Sequence, residues 1–301
     1  MDLLYLSPEF PPNYANFILK LDEMKINVWG IGESDFYFMP EKLRSALKWY
    51  VRANLSSIAE VEKALEDLLR VKASLGTPPT FDLVESHNEQ WLQLESFINH
   101  KLGIDGIQPE DMNRFKKKSV MKKLFKESGL QVARGERITD FNHGLQLADV
   151  LGYPLILKPD EGVGAGGIHK VIDEKHLRHI LSEIDGDYIM EEFIDAKIVT
   201  YDGLVDYSED DDLYASYARM VAKCKETAAS KKKYYCCYLG RRDKDYVHNH
   251  SDILATFGHC LVEYAENPPI FQKAMGKYRY ILRSSSESEI LRMADFILQK
   301  P

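Results

Sequence analysis

The chain has 301 residues, 45% hydrophobic and 29% charged, which is the balance of a globular protein with material for about two ordinary domains. Its formal net charge of -8 speaks against a general nucleic-acid binder, which is normally basic overall. No stretch reaches the roughly 18 apolar residues of a membrane span, and "MDLLYLSPEFPP" lacks a basic start leading into an apolar run, so a cytoplasmic protein away from membranes is expected.

Residues 2–6, "DLLYL", predict a short buried strand, followed by the turn-rich "SPEFPPN". The segment "YANFILKLDEM" predicts a helix and "INVWGIG" a second strand, the opening of a doubly wound parallel sheet. Ser56 or Ser57 is placed to cap a helix over about 58–75, with Val61, Leu65, Leu68 and Leu69 on one face. After "GTPP" come the strand "FDLVES" and the helix "EQWLQLESFINHKLG". Residues 1–111 therefore read as one small Rossmann-like α/β domain.

A new unit begins at Met112. In "RFKKKSVMKKLFKESGL" the apolar Val120, Met121, Leu124 and Phe125 share one helical face, and Lys118, Lys122 and Lys126 lie along another. Lysine runs of this kind, here and in "SKKKYY", are expected to be solvated. Gly129 ends the helix. A strand near "VARGERI", the helix "GLQLADVLG", the strand "PLILK", a glycine-rich loop, the strand "IHKVI", the helix "DEKHLRHILSEI" and the strand "YIMEEFI" follow. Four cysteines, Cys224, Cys236, Cys237 and Cys260, show no zinc-ligand spacing, and an adjacent pair is a poor disulfide framework, so reduced thiols are expected.

The glycine loop in "LILKPDEGVGAGGIHKVI" carries the most chemistry. A dinucleotide fingerprint needs its glycines between a strand and a helix, whereas "IHKVI" alternates as a strand. A P-loop ends in Gly-Lys-Ser/Thr, whereas here Lys158 precedes the glycines. A glycine loop between antiparallel strands still brings backbone N–H groups close to phosphate oxygens, because no Cβ intervenes, and Lys158 adds a fixed positive charge.

Together with Lys118 upstream and "MEEFI" at 190–194, this stretch resembles the ATP-grasp family, in the branch related to the carbamoyl-phosphate synthase large subunit. The resemblance runs over residues 112–206 and implies a pre-ATP-grasp domain (1–111), an ATP-grasp α+β lid (112–194), and the remainder of an incomplete grasp region with a tail (195–301). It implies that Lys118 and Lys158 contact ATP phosphates and that Gly162, Gly164, Gly166 and Gly167 form the phosphate loop. It also implies that Glu191, Glu192, Phe193 and Ile194 pass along the adenine. The loops "SPEFPPN" and "ESHNEQW" are then placed at the acceptor-substrate site.

The family holds Mg2+ with an acidic residue and a Glu-x-Asn motif on a later strand pair, and neither is found after Val205. "VEYAEN" sets Glu263, Glu266 and Asn267 close together but with Glu and Asn adjacent; the acidic "SEDDD" reads as a solvated turn; the triplet His248-Asn249-His250 shares only a name with nucleases. Catalytic residues and metal ligands stay unassigned. The expectation is an ATP-dependent ligase that makes an acyl phosphate from a small-molecule carboxylate and passes it to an amine or similar nucleophile, needing magnesium and allowing a homo-oligomer. Its alternative is a catalytically silent nucleotide-binding module; the missing metal ligands mean either an internally shortened chain or one that has lost catalysis.

Overall fold

Asp2–Leu6 form the strand β1, whose last four residues are all buried. They lie at the centre of a parallel sheet with Asn27–Gly32 (β2), Leu47–Arg52 (β3) and Leu83–Glu85 (β4) in the order β3-β2-β1-β4. Pairing runs from Asp2 opposite Asn27 to Leu6 opposite Ile31 on one side, and from Leu3 opposite Leu83 to Tyr5 opposite Glu85 on the other. A strand buried on both faces reads as a continuous apolar run, as "LLYL" does. The computed structural model describes residues 1–162, 167–194, 212–223, 234–242, 245–269, 272 and 275–301. By chain contacts these fall into two units, Met1–Ala196 and Lys197–Pro301.

The first unit's parallel sheet is flanked by Ala15–Glu23 (α1), Glu41–Ala46 (α2), Ile58–Ser74 (α3) and Leu92–Leu102 (α4). Ser57 caps α3 by accepting the Glu60 N–H on its hydroxyl at 3.4 Å, and Gly103 closes α4 at φ 64°. Val61, Leu65 and Leu68 of α3 pack with Trp29, Phe81 and Ile98 in one apolar cluster. Lys72, on the same face of α3, is completely buried and ion-pairs with Asp2. Its ammonium sits 4.8 Å from the Trp29 ring centre and 5.0 Å from that of Phe81, a cation–π arrangement. Burial alone would raise the Asp2 carboxyl, but hydrogen bonds from Lys72, Asn27 and Trp29 bring it below its ordinary value.

The same unit holds a second sheet, antiparallel, of Gly135–Arg137 (β5), Leu155–Pro159 (β6), His169–Val171 (β7) and Tyr188–Glu192 (β8) in the order β5-β8-β6-β7. Met112–Lys116 (α5) and Lys118–Glu127 (α6) precede it; Phe141–Leu151 (α7) and Glu174–Glu183 (α8) pack Leu147, Ala148, Leu177 and Ile180 against Leu155, Leu157, Val171 and Met190.

The second unit contains Leu213–Val221 (α9), Tyr235–Arg241 (β9), His250–Phe257 (α10), Leu261–Glu266 (β10), Tyr278–Ser284 (β11) and Glu287–Leu298 (α11). Its sheet has the order β10-β11-β9 and is antiparallel throughout. Ile253, Phe257 and Cys260 join Ile290, Met293 and Ile297 beneath it. Among the described residues no helix is long and apolar enough to cross a membrane.

The structure adds one strand and corrects one expectation. The strand β3 follows α2 without any turn residue and was not legible between "INVWGIG" and the helix at 58–75. The helix α6 does not bury its apolar face: Leu124 is 37% and Phe125 45% exposed, while Lys122 is the helix's buried residue.

Candidate functional site

The alternation of β8 sends Glu191 and Glu192 to opposite faces of the second sheet. Glu191 lies opposite Ile156 in the antiparallel ladder, and Lys158, two residues along β6 on the same face, is its diagonal neighbour. The Lys158 Nζ meets Glu191 Oε2 at 2.5 Å. The other oxygen, Oε1, meets Lys122 Nζ at 2.5 Å, and Lys122 also donates to the Ala133 carbonyl at 2.6 Å. Glu191 thus holds two ammonium groups, one per oxygen, with both Glu191 and Lys122 buried. Burial pushes its carboxyl up, but the hydrogen bonds and charges of Lys122 and Lys158 outweigh burial and hold it below its ordinary value.

Glu192, on the other face, is engaged by Arg134: its Oε1 accepts the Arg134 N–H and its Oε2 the Nε–H, both at 2.7 Å. The Arg134 backbone N–H, then its side chain, lowers the Glu192 carboxyl. Phe193 presents its ring to the Lys170 ammonium at 3.7 Å, and Ile194 is 55% exposed.

Lys118 opens α6 beside the end of β6. Lysine at a helix N-terminus adds to the positive end of the helix dipole, an arrangement that calls for a compensating anion. Asp160 supplies it. Its Oδ1 accepts the Ser119 N–H and its Oδ2 the Ser119 hydroxyl, both at 2.7 Å, while the Asp160 carbonyl accepts the Lys118 N–H at 2.9 Å. The Lys118 ammonium then donates to the carbonyls of Asp160 at 3.4 Å and Gly162 at 3.3 Å, where the glycine stretch begins. At its far end Gly167 has φ +70°, and a Cβ there would lie 2.9 Å from Pro159 Cγ, so only glycine fits. Gly164 and Gly166 lie outside the described residues.

Lys118 meets the Gly162 carbonyl past the C-terminal end of β6, which pairs with the start of β8, and Lys158 reaches from that end of β6 to Glu191, while Glu192 lies on the other face. Sequence reading placed Lys122 among solvated lysines, and no local signal set it apart from its neighbours. Ser119, Asp160 and Arg134 were also missed. Glu191, expected at an adenine edge, spends both oxygens on lysines.

Among the described residues, the acidic candidates of the second unit are taken up by other groups. Glu263 and Asn267 converge on a guanidinium: Arg279 donates to Glu263 Oε1 at 2.7 Å from Nε and 2.5 Å from Nη2, and to Asn267 Oδ1 at 3.2 Å. Of "SEDDD" only Asp212 is described, and it caps α9 by accepting the Ala215 N–H at 2.9 Å. His248 stacks on Phe296 and His250 on Tyr264, with centroids 3.5 and 3.8 Å apart, so both serve packing.

At the C-terminal edge of the parallel sheet, Glu9 Oε1 accepts the N–H groups of Glu33 at 2.7 Å and Ser34 at 3.0 Å, joining the loops after β1 and β2. After β4, His87 stacks on Phe17 with centroids 3.8 Å apart and its Nδ1 lies 3.0 Å from the Tyr5 hydroxyl; burial lowers its imidazole against the opposing pull of Glu85. Both loops flank the point between β1 and β4 where strand order reverses, the usual ligand crevice of such sheets.

No family model matches the chain. In sequence, 121 residues align at 26% identity with the carbamoyl phosphate synthase large chain of Thermotoga neapolitana, covering 40% of this chain and 11% of that one. Over 78 residues, 26% of the chain, it aligns at 27% identity with the C-terminal section of the Methanopyrus kandleri large chain, 14% of that section's length. The chain thus spans only a small part of the curated relatives it matches. In structure it is similar to phosphoribosylglycinamide synthetase of Anaerococcus prevotii, with TM-score 0.59 and 12% identity over 99% of this chain and 97% of that one. It is also similar to a biotin carboxylase–β,γ-ATP complex of Campylobacter jejuni, with TM-score 0.60 and 12% identity over 97% and 89%. At such identities the likeness speaks for the fold alone.

Proposed function

We propose, from the premise that the chain is an ATP-grasp protein related to carbamoyl phosphate synthase large chains, that it binds ATP at the C-terminal end of β6 and along β8. Lys118 and Lys158 grip the phosphates, the glycine stretch supplies backbone N–H groups, and 191–194 run beside the base. The observation that carries this reading is the pair of lysines at the root of one glycine stretch, Lys158 on the strand leading into it and Lys118 on the Gly162 carbonyl. The activity proposed is ATP-dependent ligation through an acyl phosphate. The small carboxylate and nucleophile are received by the loops after β1 and β4, and positioning plus fixed charge, not a covalent nucleophile, lowers the barrier. A silent nucleotide-binding module is the second reading, favoured by the Arg279 guanidinium that takes up Glu263 and Asn267. ADP production with magnesium and a panel of amino acids separates the two: turnover supports the ligase, and ATP binding without turnover the silent module.

Lys158→Ala is expected to weaken ATP binding by about 1.5–3 kcal/mol, the loss of a charged hydrogen bond. Glu191 keeps Lys122 as a partner in this variant, so the fold survives. Lys118→Ala acts in the same direction with a smaller effect. Calorimetric titration with unchanged affinity in Lys158→Ala would remove that residue from the site.

A further inference from the structure

We propose that His259, Cys260 and Glu289 form a binding site for zinc or a similar thiophilic divalent cation. Among the described residues, one donor atom from each lies within 4.8 Å of the other two. Imidazole, thiolate and carboxylate are the donors zinc takes, and three protein ligands with one open position make a complete tetrahedral site when water fills the fourth. This reading is independent of the nucleotide site and of the magnesium expected there.

The turn Gly258–Cys260 between α10 and β10 delivers adjacent His259 and Cys260 in different directions. Cys260 is buried and fixed by the apolar cluster, while the His259 side chain is 68% exposed and free to turn inward. Glu289 stands in the first turn of α11, and its carboxylate is already oriented: Oε2 accepts the Ser284 hydroxyl at 2.5 Å, leaving Oε1 toward His259 Nε2 at 4.0 Å. A second hydrogen bond of this kind fixes a ligating carboxylate without consuming its coordinating oxygen.

Zinc bond lengths imply donor separations of about 3.3–3.5 Å in a tetrahedron. The His259–Glu289 pair closes from 4.0 Å by a rotation of the exposed imidazole. The competitor is Arg292, 3.5 Å from Glu289 Oε1, but its side chain is 69% exposed and such surface pairs hold weakly. An ordinary metal-free thiol is mostly protonated at neutral pH. Binding breaks the S–H bond, forms the metal–sulfur bond and releases one proton to solvent; the ion's two charges are then balanced by thiolate and carboxylate. Affinity should therefore rise with pH.

The test is titration of the intact, reduced chain with Co2+, followed by thiolate-to-cobalt charge-transfer absorption. The expected result is a band that saturates at one equivalent, is abolished by Zn2+, and persists when Cys224, Cys236 and Cys237 are all serine. Cys260→Ser should remove the band, and His259→Ala and Glu289→Gln should each weaken binding at least ~10-fold. Cobalt at a carboxylate or phosphate site gives no such band, so failure here and failure of the ATP reading are distinguishable. No band in the wild-type chain, or a band that survives in Cys260→Ser, overturns the proposal. Should Cys260→Ser fail to fold, full affinity in both His259→Ala and Glu289→Gln overturns it equally.

Discussion

Glu191→Ala is expected to destabilise the second sheet by about 3–5 kcal/mol, because it strips the counter-charge from two ammonium groups held at 2.5 Å, one of them buried. Lys122 keeps only the Ala133 carbonyl, and Lys158 is left to find water. Glu191→Gln keeps the shape and an acceptor oxygen, so its loss should be smaller. The carboxyl is lowered in the folded chain, so its stabilisation is present above the ordinary 4.5 and is lost as pH falls through the folded value. The sheet should therefore loosen on the acid side. Hydrogen exchange of 155–159 and 188–192 is the readout; wild-type protection in Glu191→Ala would show that the two lysines do not need this carboxylate.

The opposite sign is expected at Glu95. Burial, then the neighbouring Glu85 charge, raises its carboxyl to about 7, with the Ser86 hydroxyl donating at 2.9 Å as a partial offset. A group raised in the folded state leaves stability intact below its ordinary 4.5 and drains it as pH climbs toward about 7. The gap corresponds to about 3 kcal/mol at most. Glu95→Gln keeps an acceptor for Ser86 and has no charge to bury. It should match the wild type near pH 4 and be more stable by about 2–3 kcal/mol at pH 8. The buried Trp29 and Trp91 report this unfolding by fluorescence in urea. A stability difference that does not change between these pH values would mean that Glu95 reaches water in the folded chain.

What could be read in advance follows from how local each signal is. The β6–loop–β7 hairpin was legible because "PLILK" and "IHKVI" alternate on either side of glycines, and pairing of Leu155 with Val171 needs nothing from elsewhere. The α3 cap at Ser57 was legible for the same reason. The edge strand β3, "LKWYVR", buries only its first residue and abuts a helix, so neither periodicity nor punctuation marks it. Lys122 was illegible for a different reason. Nothing near it distinguishes it from Lys123 or Lys126 until Glu191 is placed beside it. Cys260 likewise had no companion cysteine at a useful spacing; its partners are an adjacent histidine and a carboxylate on the final helix.

Asp160 has a mechanical consequence. It is fully buried, and its own N–H is tied to the Asp187 carbonyl at 2.8 Å while its side chain and carbonyl hold Ser119 and Lys118. The start of α6, which carries Lys118, and the end of β6, which carries Lys158, are thereby clamped to one another. If both lysines hold phosphates as proposed, a monoanion would engage one of them, whereas an extended polyanion would reach both and give up its freedom of tumbling only once. Preference should then climb steeply from one phosphate to three, and the Lys118→Ala and Lys158→Ala effects should fail to add. In Asp160→Ala, where the clamp is lost, the two effects are expected to add.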